Sequence, residues 1–270
     1  NEEVKDYVVK DSIKIVRKSK KYLDSIDRKN NRLKFTTPIS GYTYRDSYNK
    51  WSLGIDSPIK NLNFNTVQGW NSTVGINYFK TLNETGKWVN IGANINYGFS
   101  DKKTRPTVFF GYKWNNITRP ILRFSGGITT REFNTQNPIP RLYNTINSIF
   151  REQNYLKIYE KSFVNVSFSR ELTNGFRFNT SLEYANRKPL VNTTDYSAKN
   201  TEDRDYTSND PQNSNNFSPS FNAHKIWTFT AGTSINFGTK YLSYPNRKFT
   251  VYNDKYPSIY VGYRKTFGSE

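Results

Sequence analysis

Trp88-Val89-Asn90-Ile91-Gly92-Ala93-Asn94-Ile95-Asn96-Tyr97-Gly98-Phe99 is the stretch on which the reading of the chain turns. Side chains of a strand alternate between two faces. Val89, Ile91, Ala93, Ile95, Tyr97 and Phe99 therefore fall on one side, and Asn90, Gly92, Asn94, Asn96 and Gly98 on the other. One face is apolar; the other is amide and glycine. A dyad of roughly 9–11 residues is long enough to cross a bilayer core as a tilted strand, whereas most strands run about 5–6.

The same period repeats on both sides. Upstream, Trp51, Leu53 and Ile55 alternate with Ser52 and Gly54, and Trp70, Ser72, Val74, Ile76 and Tyr78 with Asn71, Thr73, Gly75 and Asn77. Downstream, Val108, Phe110, Tyr112 and Trp114 oppose Thr107, Phe109, Gly111 and Lys113, and Leu122, Phe124, Gly126 and Ile128 oppose Arg123, Ser125 and Gly127. Val164, Val166 and Phe168 oppose Asn165, Ser167 and Ser169; Phe176, Phe178, Leu182 and Tyr184 oppose Arg177, Asn179, Ser181 and Glu183. Trp227, Phe229, Ala231, Ile235 and Phe237 oppose Thr228, Thr230, Gly232, Ser234 and Asn236. In the last strand Ile259, Val261, Tyr263 and Phe267 oppose Tyr260, Gly262, Arg264 and Thr266.

That makes about nine strands, where single-chain bacterial barrels use an even number. Either one strand is unread or the segment is cut from a larger barrel, with a truncated end at Glu270. The connections sort by length. Asn115-Asn116 and Thr173-Asn174-Gly175 are short, while residues 131–161 and 187–223 are long, and the two kinds fall on opposite edges, as the short turns and long loops of an outer-membrane barrel do. Asn137-Pro138-Ile139-Pro140 breaks the first long excursion, which has room for a short helix over 142–159. The second, rich in Asn, Asp, Ser, Thr and Pro, reads as a mobile surface loop. Residues 238–256 are long yet fall on the short-turn edge, which suggests an additional hairpin near 248–252.

Composition agrees with one apolar face per strand. Aromatics are 16% of 270 residues while the hydrophobic fraction is only 34%, so rings supply much of the apolar surface. No run approaches the roughly 18 apolar residues of a membrane helix. Cys 0 removes disulfides and thiolate sites, and Met 0 with no leader at Asn1–Lys10 suggests a segment of a longer exported chain.

Forty Lys and Arg against 22 Asp and Glu give +18, the balance of a nucleic-acid binder or of a protein that meets anionic lipid. Single-strand binders interleave basic residues with stacking rings. Here the strand rings share a face with Val, Ile and Leu while most cations lie in helix, turns and loops, so no nucleic-acid partner is expected. From Asp11 to about Lys29, Val9, Ile13, Val16, Leu23 and Ile26 form one stripe of a basic amphipathic helix, read as docked on the fold or lying on a headgroup layer.

Particular stretches are familiar. Asp24-Ser25-Ile26-Asp27-Arg28-Lys29-Asn30-Asn31, Ser40-Gly41-Tyr42-Thr43-Tyr44, Phe64-Asn65-Thr66-Val67-Gln68-Gly69-Trp70-Asn71, Tyr244-Pro245-Asn246-Arg247-Lys248-Phe249 and Asn253-Asp254-Lys255-Tyr256-Pro257-Ser258 resemble an uncharacterised Gram-negative outer-membrane family. Its members carry a domain of unknown function behind a carboxypeptidase-regulatory-like β-sandwich. The resemblance implies an outer-membrane barrel and brings no catalytic residues with it.

The fold expected is thus all-β: an antiparallel up-and-down transmembrane β-barrel segment at 41–270, preceded by one N-terminal amphipathic helix and linker at 1–40. Val89, Ile91, Ala93, Ile95, Val108, Phe110, Leu122, Phe124, Val164, Val166, Phe229 and Ile235 are expected to face lipid. Trp70, Tyr78, Trp88, Phe99, Trp114, Tyr184, Trp227 and Phe237 would form aromatic girdles. Asn90, Asn94, Asn96, Lys113, Arg123, Arg177, Glu183 and Arg264 would face the lumen, the cations either favouring anions or pairing with Glu183.

Catalytic signals are weak. His224 has Ser218, Ser220 and Asn222 near it in sequence, but no nucleophile-elbow pattern accompanies them. Glu202, Asp203, Asp205 and Asp210 lack the glycine turn and terminal glutamate of a calcium loop. The expectation is no enzyme, metal or cofactor, but transport or assembly at the bacterial outer membrane. The partners expected are outer-membrane lipid and other outer-membrane or periplasmic proteins. A membrane-surface hydrolase and a soluble β-rich binding module are the alternatives.

Overall fold

The computed structural model describes residues 12–83, 85–134, 136, 139–199, 204–212, 221–251 and 255–269. One antiparallel sheet dominates: β1 (Tyr42–Asp46), β2 (Trp51–Ile55), β4 (Gly69–Thr81), β5 (Trp88–Gly98), β6 (Lys103–Lys113), β7 (Ile121–Glu132), β8 (Ile158–Thr173), β9 (Phe176–Pro189), β10 (His224–Asn236) and β13 (Ser258–Ser269) follow one another in that order. The short β3 (Asn63–Asn65) lies off this path on β4. The strand that alternation did not reveal is β1, whose Tyr-Thr-Tyr-Arg-Asp has rings but no aliphatic residue. Residues 240–251 fold as a separate hairpin, β11 (Lys240–Tyr244) with β12 (Arg247–Val251), which accounts for the long connection on the short-turn edge.

Register turns the sequence dyad into two faces. On one, Tyr42, Ile55, Ile76, Ala93, Val108, Gly126, Val164, Tyr184, Trp227 and Phe267 stand opposite one another in a single row across the sheet. Directly opposed residues of antiparallel strands share a face, so the reverse side carries the row Thr43, Gly54, Asn77, Gly92, Phe109, Ser125, Asn165, Glu183, Thr228 and Thr266. Trp88 departs from the girdle expectation. It stands opposite Lys113, lies 5.9 Å from Phe79 and covers Gly111, so it belongs to the polar face.

The apolar face is not a core. Ile91 and Ile95 are 48% and 52% exposed, whereas the best-buried large apolar side chains are Phe64 and Val67, each at 1%. They sit at the long-loop end, Phe64 in β3 and Val67 in the turn after it, under a cap made from the long connections. There α3 (Arg141–Arg151), starting one residue before the 142–159 span expected to hold a helix and ending well short of its end, packs on β3 through Thr145 Oγ1, which accepts from Phe64 N at 3.0 Å. Its buried residues are Asn144, Thr145, Asn147, Ser148 and Ile149, while Leu142, Tyr143, Ile146 and Phe150 face outward. This helix buries its polar side. Of the Pro-containing break before it, Asn137 and Pro138 lie outside the described residues.

The excursion after β9 corrects the expectation of a mobile surface loop. Thr193 N donates to Thr66 O at 2.9 Å, Thr66 Oγ1 to Asn192 Oδ1 at 2.6 Å, and Asn209 Nδ2 to Ile158 O at 2.6 Å. Ser208, Asn209 and Asp210 are buried. The Asn, Ser and Thr side chains that suggested solvent exposure are instead the hydrogen-bonding material of the cap, where Thr66, Asn192 and Asn209 find partners for their polar groups. Residues 200–203 and 213–220 of this excursion lie outside the described residues.

Residues 12–18 are helical, and after Ser19, whose hydroxyl accepts from Tyr22 N, a second helix α1 (Lys20–Asn30) follows. Of the expected stripe, Val9 lies outside the described residues, Ile13, Val16 and Ile26 are exposed, and Leu23 is half-buried. Polar contacts do the docking: the buried Asp27 accepts from Ser47 N at 2.6 Å and Ser47 Oγ at 2.7 Å, and Asn31 exchanges hydrogen bonds with the Arg45 backbone. A single turn of helix, α2 (Thr37–Ser40), leads into β1. Ser47 lies in the β1–β2 turn, so α1 sits at the short-turn end. Among the described residues nothing pairs β1 with β13, and the sheet ends in two open edges.

Candidate functional site: the polar face and its two closures

The polar face carries the side chains that chemistry can use. Asn96 donates to Ser72 O and Thr73 Oγ1 and accepts from Gln68 Nε2 at 2.7 Å; Asn94 lies over Gly75 beside Asp56. Asn90 Oδ1 is buried without a partner. Arg105, 1% exposed, reaches Asp101 at 2.5 Å and Glu160 at 3.2 Å. Lys161 pairs with Glu183 at 2.6 Å, so Glu183 is tied to a lysine and not to the arginines expected around it. Arg123 and Arg264 stand on this face but are exposed.

At the short-turn end the β11–β12 hairpin folds against the sheet. Tyr241 Oη donates to Glu171 Oε1 at 2.6 Å, and Lys248 Nζ lies 3.1 Å from Glu171 Oε2 and 3.0 Å from Asn174 Oδ1. Burial, and then the hydrogen bond to Glu171, raise the Tyr241 phenol above its ordinary pKa. From the β6–β7 turn, Arg119 Nη2 donates to Lys248 O at 2.8 Å. Arg119 is left-handed at φ 50°, in a turn pinned by Asn115 Oδ1, which accepts from Ile117 N and Thr118 N at 2.9 Å each. Between hairpin and sheet lies a cavity of about 490 Å³ whose lining includes Arg119, Arg177, Ser234, Tyr241 and Ser258. Sequence reasoning picked Lys113 and Arg177 but missed Arg119, Glu171, Tyr241 and Lys248. No periodicity marks these four, because their neighbours come from turns and a hairpin far along the chain.

The cap sits at the long-loop end of the sheet. Asn144, fully buried, donates to Phe64 O and Asn154 Oδ1 at 3.2 Å each and accepts from Tyr155 N and Leu156 N at 2.8 and 2.9 Å. Lys157 Nζ donates to Ser208 O at 2.6 Å and Thr207 Oγ1 at 2.7 Å; burial holds its pKa down to about 8, against the attraction of Asp210. The Tyr206 hydroxyl donates to the Ser148 carbonyl and is pushed up to about 12 by burial, then by Glu152 and Asp195.

The best catalytic candidate finds no machinery among the described residues. His224 Nδ1 lies 3.1 Å from Asn222 O and its ring meets Phe221 edge-on, while Ser218 and Ser220 lie outside the described residues. Glu202 and Asp203 also lie outside them, and no group of three metal-ligating side chains forms among those described. Residues 36–270 match the family described as Family of unknown function (DUF5686) C-terminal domain. No curated protein and no solved structure matches the chain.

Proposed function

We propose, for a chain that belongs to the DUF5686 family of unknown function through its C-terminal domain, that residues 41–269 form part of the wall of an outer-membrane β-barrel serving transport or assembly. The observation that carries this reading is the row that crosses the ten strands from Tyr42 to Phe267, apolar or aromatic at every position but Gly126, while the buried apolar cluster of Val67, Leu156 and Ile158 lies at the cap. β4 to β10 and β13 are 11 to 16 residues long, and about 9–11 residues suffice to span the hydrocarbon. Exposed apolar surface of this extent is what lipid covers, since soluble monomers rarely show patches beyond a few hundred Å². The open edges at β1 and β13 then require pairing with further wall strands, because unpaired backbone is not tolerated in hydrocarbon.

In this reading the short-turn end, with α1 and the hairpin, faces the periplasm and the cap faces outward, by the loop asymmetry of such barrels. The polar face lines a lumen closed at both ends, so passage would require one closure to move. The test is cell fractionation of the full-length protein with paired variants. Wild type and Asn94→Asp are expected in the outer membrane, extractable only by detergent, and Ile91→Asp is expected to fail to assemble. Recovery of wild type in the soluble fraction, or equal tolerance at the two positions, would reject the reading.

A further inference from the structure

The cavity beneath the β11–β12 hairpin holds a charge arrangement that the architecture alone does not need. Arg177 projects from β9 opposite Ser234, and its Nη2 donates to Ser169 Oγ at 3.2 Å. Arg119 spends one N–H on the Lys248 carbonyl. Lys113 donates to Asn116 at 2.5 Å, and the charges acting on it are those of Arg119 and Arg177. Among the described residues none of these three cations forms an ion pair. Glu171, the one carboxylate among the described residues of the lining, is already taken by Lys248 and Tyr241.

Three like charges gathered at one half-buried place repel one another, and each guanidinium has five N–H donors of which only one is used here. A guanidinium fork fits a carboxylate or phosphate group with two parallel bonds, and the hydroxyls of Ser234, Ser258 and Tyr256 line the same cavity. The strand residues that supply the polar lining, Arg177, Ser234 and Ser258, stand on the polar face, so the anion that fits is a dissolved one and not the headgroup of a lipid held in a leaflet.

We propose that this cavity is a binding site for a small multivalent oxyanion, a phosphate or carboxylate compound, held by Arg119 and Arg177 with Lys113 behind them. The inference stands on the cavity and its charges whether or not the sheet lies in a membrane. The test is calorimetric titration of the purified full-length protein at low salt with inorganic pyrophosphate and, separately, citrate. Binding of either is expected to weaken about tenfold or more in Arg119→Gln and in Arg177→Gln, with partial rescue in Arg177→Lys. Whichever probe binds more tightly assigns the phosphate or the carboxylate class.

A second readout avoids the question of whether the variants fold. In the wild-type protein the bound probe should protect Arg119 and Arg177, and not the exposed Arg123 and Arg264, from phenylglyoxal, read by mass spectrometry. Absence of binding by both probes, binding unchanged in both glutamine variants, or equal protection of all four arginines would overturn the proposal.

Discussion

Asn144 has one side chain and four partners: two backbone N–H groups, one carbonyl and one amide. Leucine of similar size leaves those groups buried and unpaired at about 1–3 kcal/mol each. Asn144→Leu should therefore loosen the cap and expose residues 152–157 to proteolysis while leaving the sheet's circular dichroism unchanged. A second residue-scale effect comes from Lys157 and Tyr206. With its native pKa held at about 8, Lys157 binds fewer protons folded than unfolded between pH 8 and the usual lysine value. Cap stability therefore rises with pH in that window. Tyr206, raised to about 12, has the opposite sign: its contribution is complete below the ordinary tyrosine value near pH 10 and is lost as pH climbs toward 12. Pulse proteolysis with an alkaline-tolerant protease should find wild-type cap stability greatest near pH 10, the rise absent in Lys157→Met and the fall absent in Tyr206→Phe.

At the scale of elements, the hairpin and α3 are the two pieces whose roles depend on where they land. The hairpin bridges the turns after β6 and β8 through Lys248 and meets Glu171 through Tyr241, at the short-turn end of the sheet. Because Asn236 and Ser258 stand opposite each other, a short Gly-Ser turn can replace residues 237–257 without changing the β10–β13 register. That replacement should raise single-channel conductance of the full-length protein in planar bilayers above the wild-type level. Unchanged conductance would mean that the hairpin does not obstruct a pathway. Helix α3 teaches a different lesson: its Leu142, Tyr143, Ile146 and Phe150 stripe reads as a core face, yet they face outward because the cap needs the donors and acceptors of the opposite side.

At the scale of the whole molecule, the absence of cysteine from these 270 residues permits a test of the two faces. Single cysteines at Val108, Val166 and Phe229, labelled with a fluorophore in reconstituted protein, should be quenched by brominated acyl chains. Cysteines at Thr107, Ser167 and Thr230 should be quenched by an aqueous agent or by neither. Each pair differs by one residue along a strand, so only a face-specific environment separates them. Uniform quenching within the pairs would remove the membrane reading while leaving the antiparallel sheet intact.

Much of this was legible in the chain. Alternation at Trp88–Phe99 and its repeats determined the strands, their two faces and their antiparallel order, because the strand period is a local property written every second residue. It also gathered Lys113, Arg177 and Glu183 on one face, but not their company. Only the tertiary structure decided that Glu183 belongs to Lys161 and that Arg119 and the hairpin join Arg177 around a cavity. The cap too was decided there: an Asn- and Ser-rich loop looks solvated in sequence, and becomes interior only when a distant segment supplies partners for its amides and hydroxyls, as Thr66 and Ile158 do. Period is local, whereas satisfaction of polar groups is a property of who is brought beside whom.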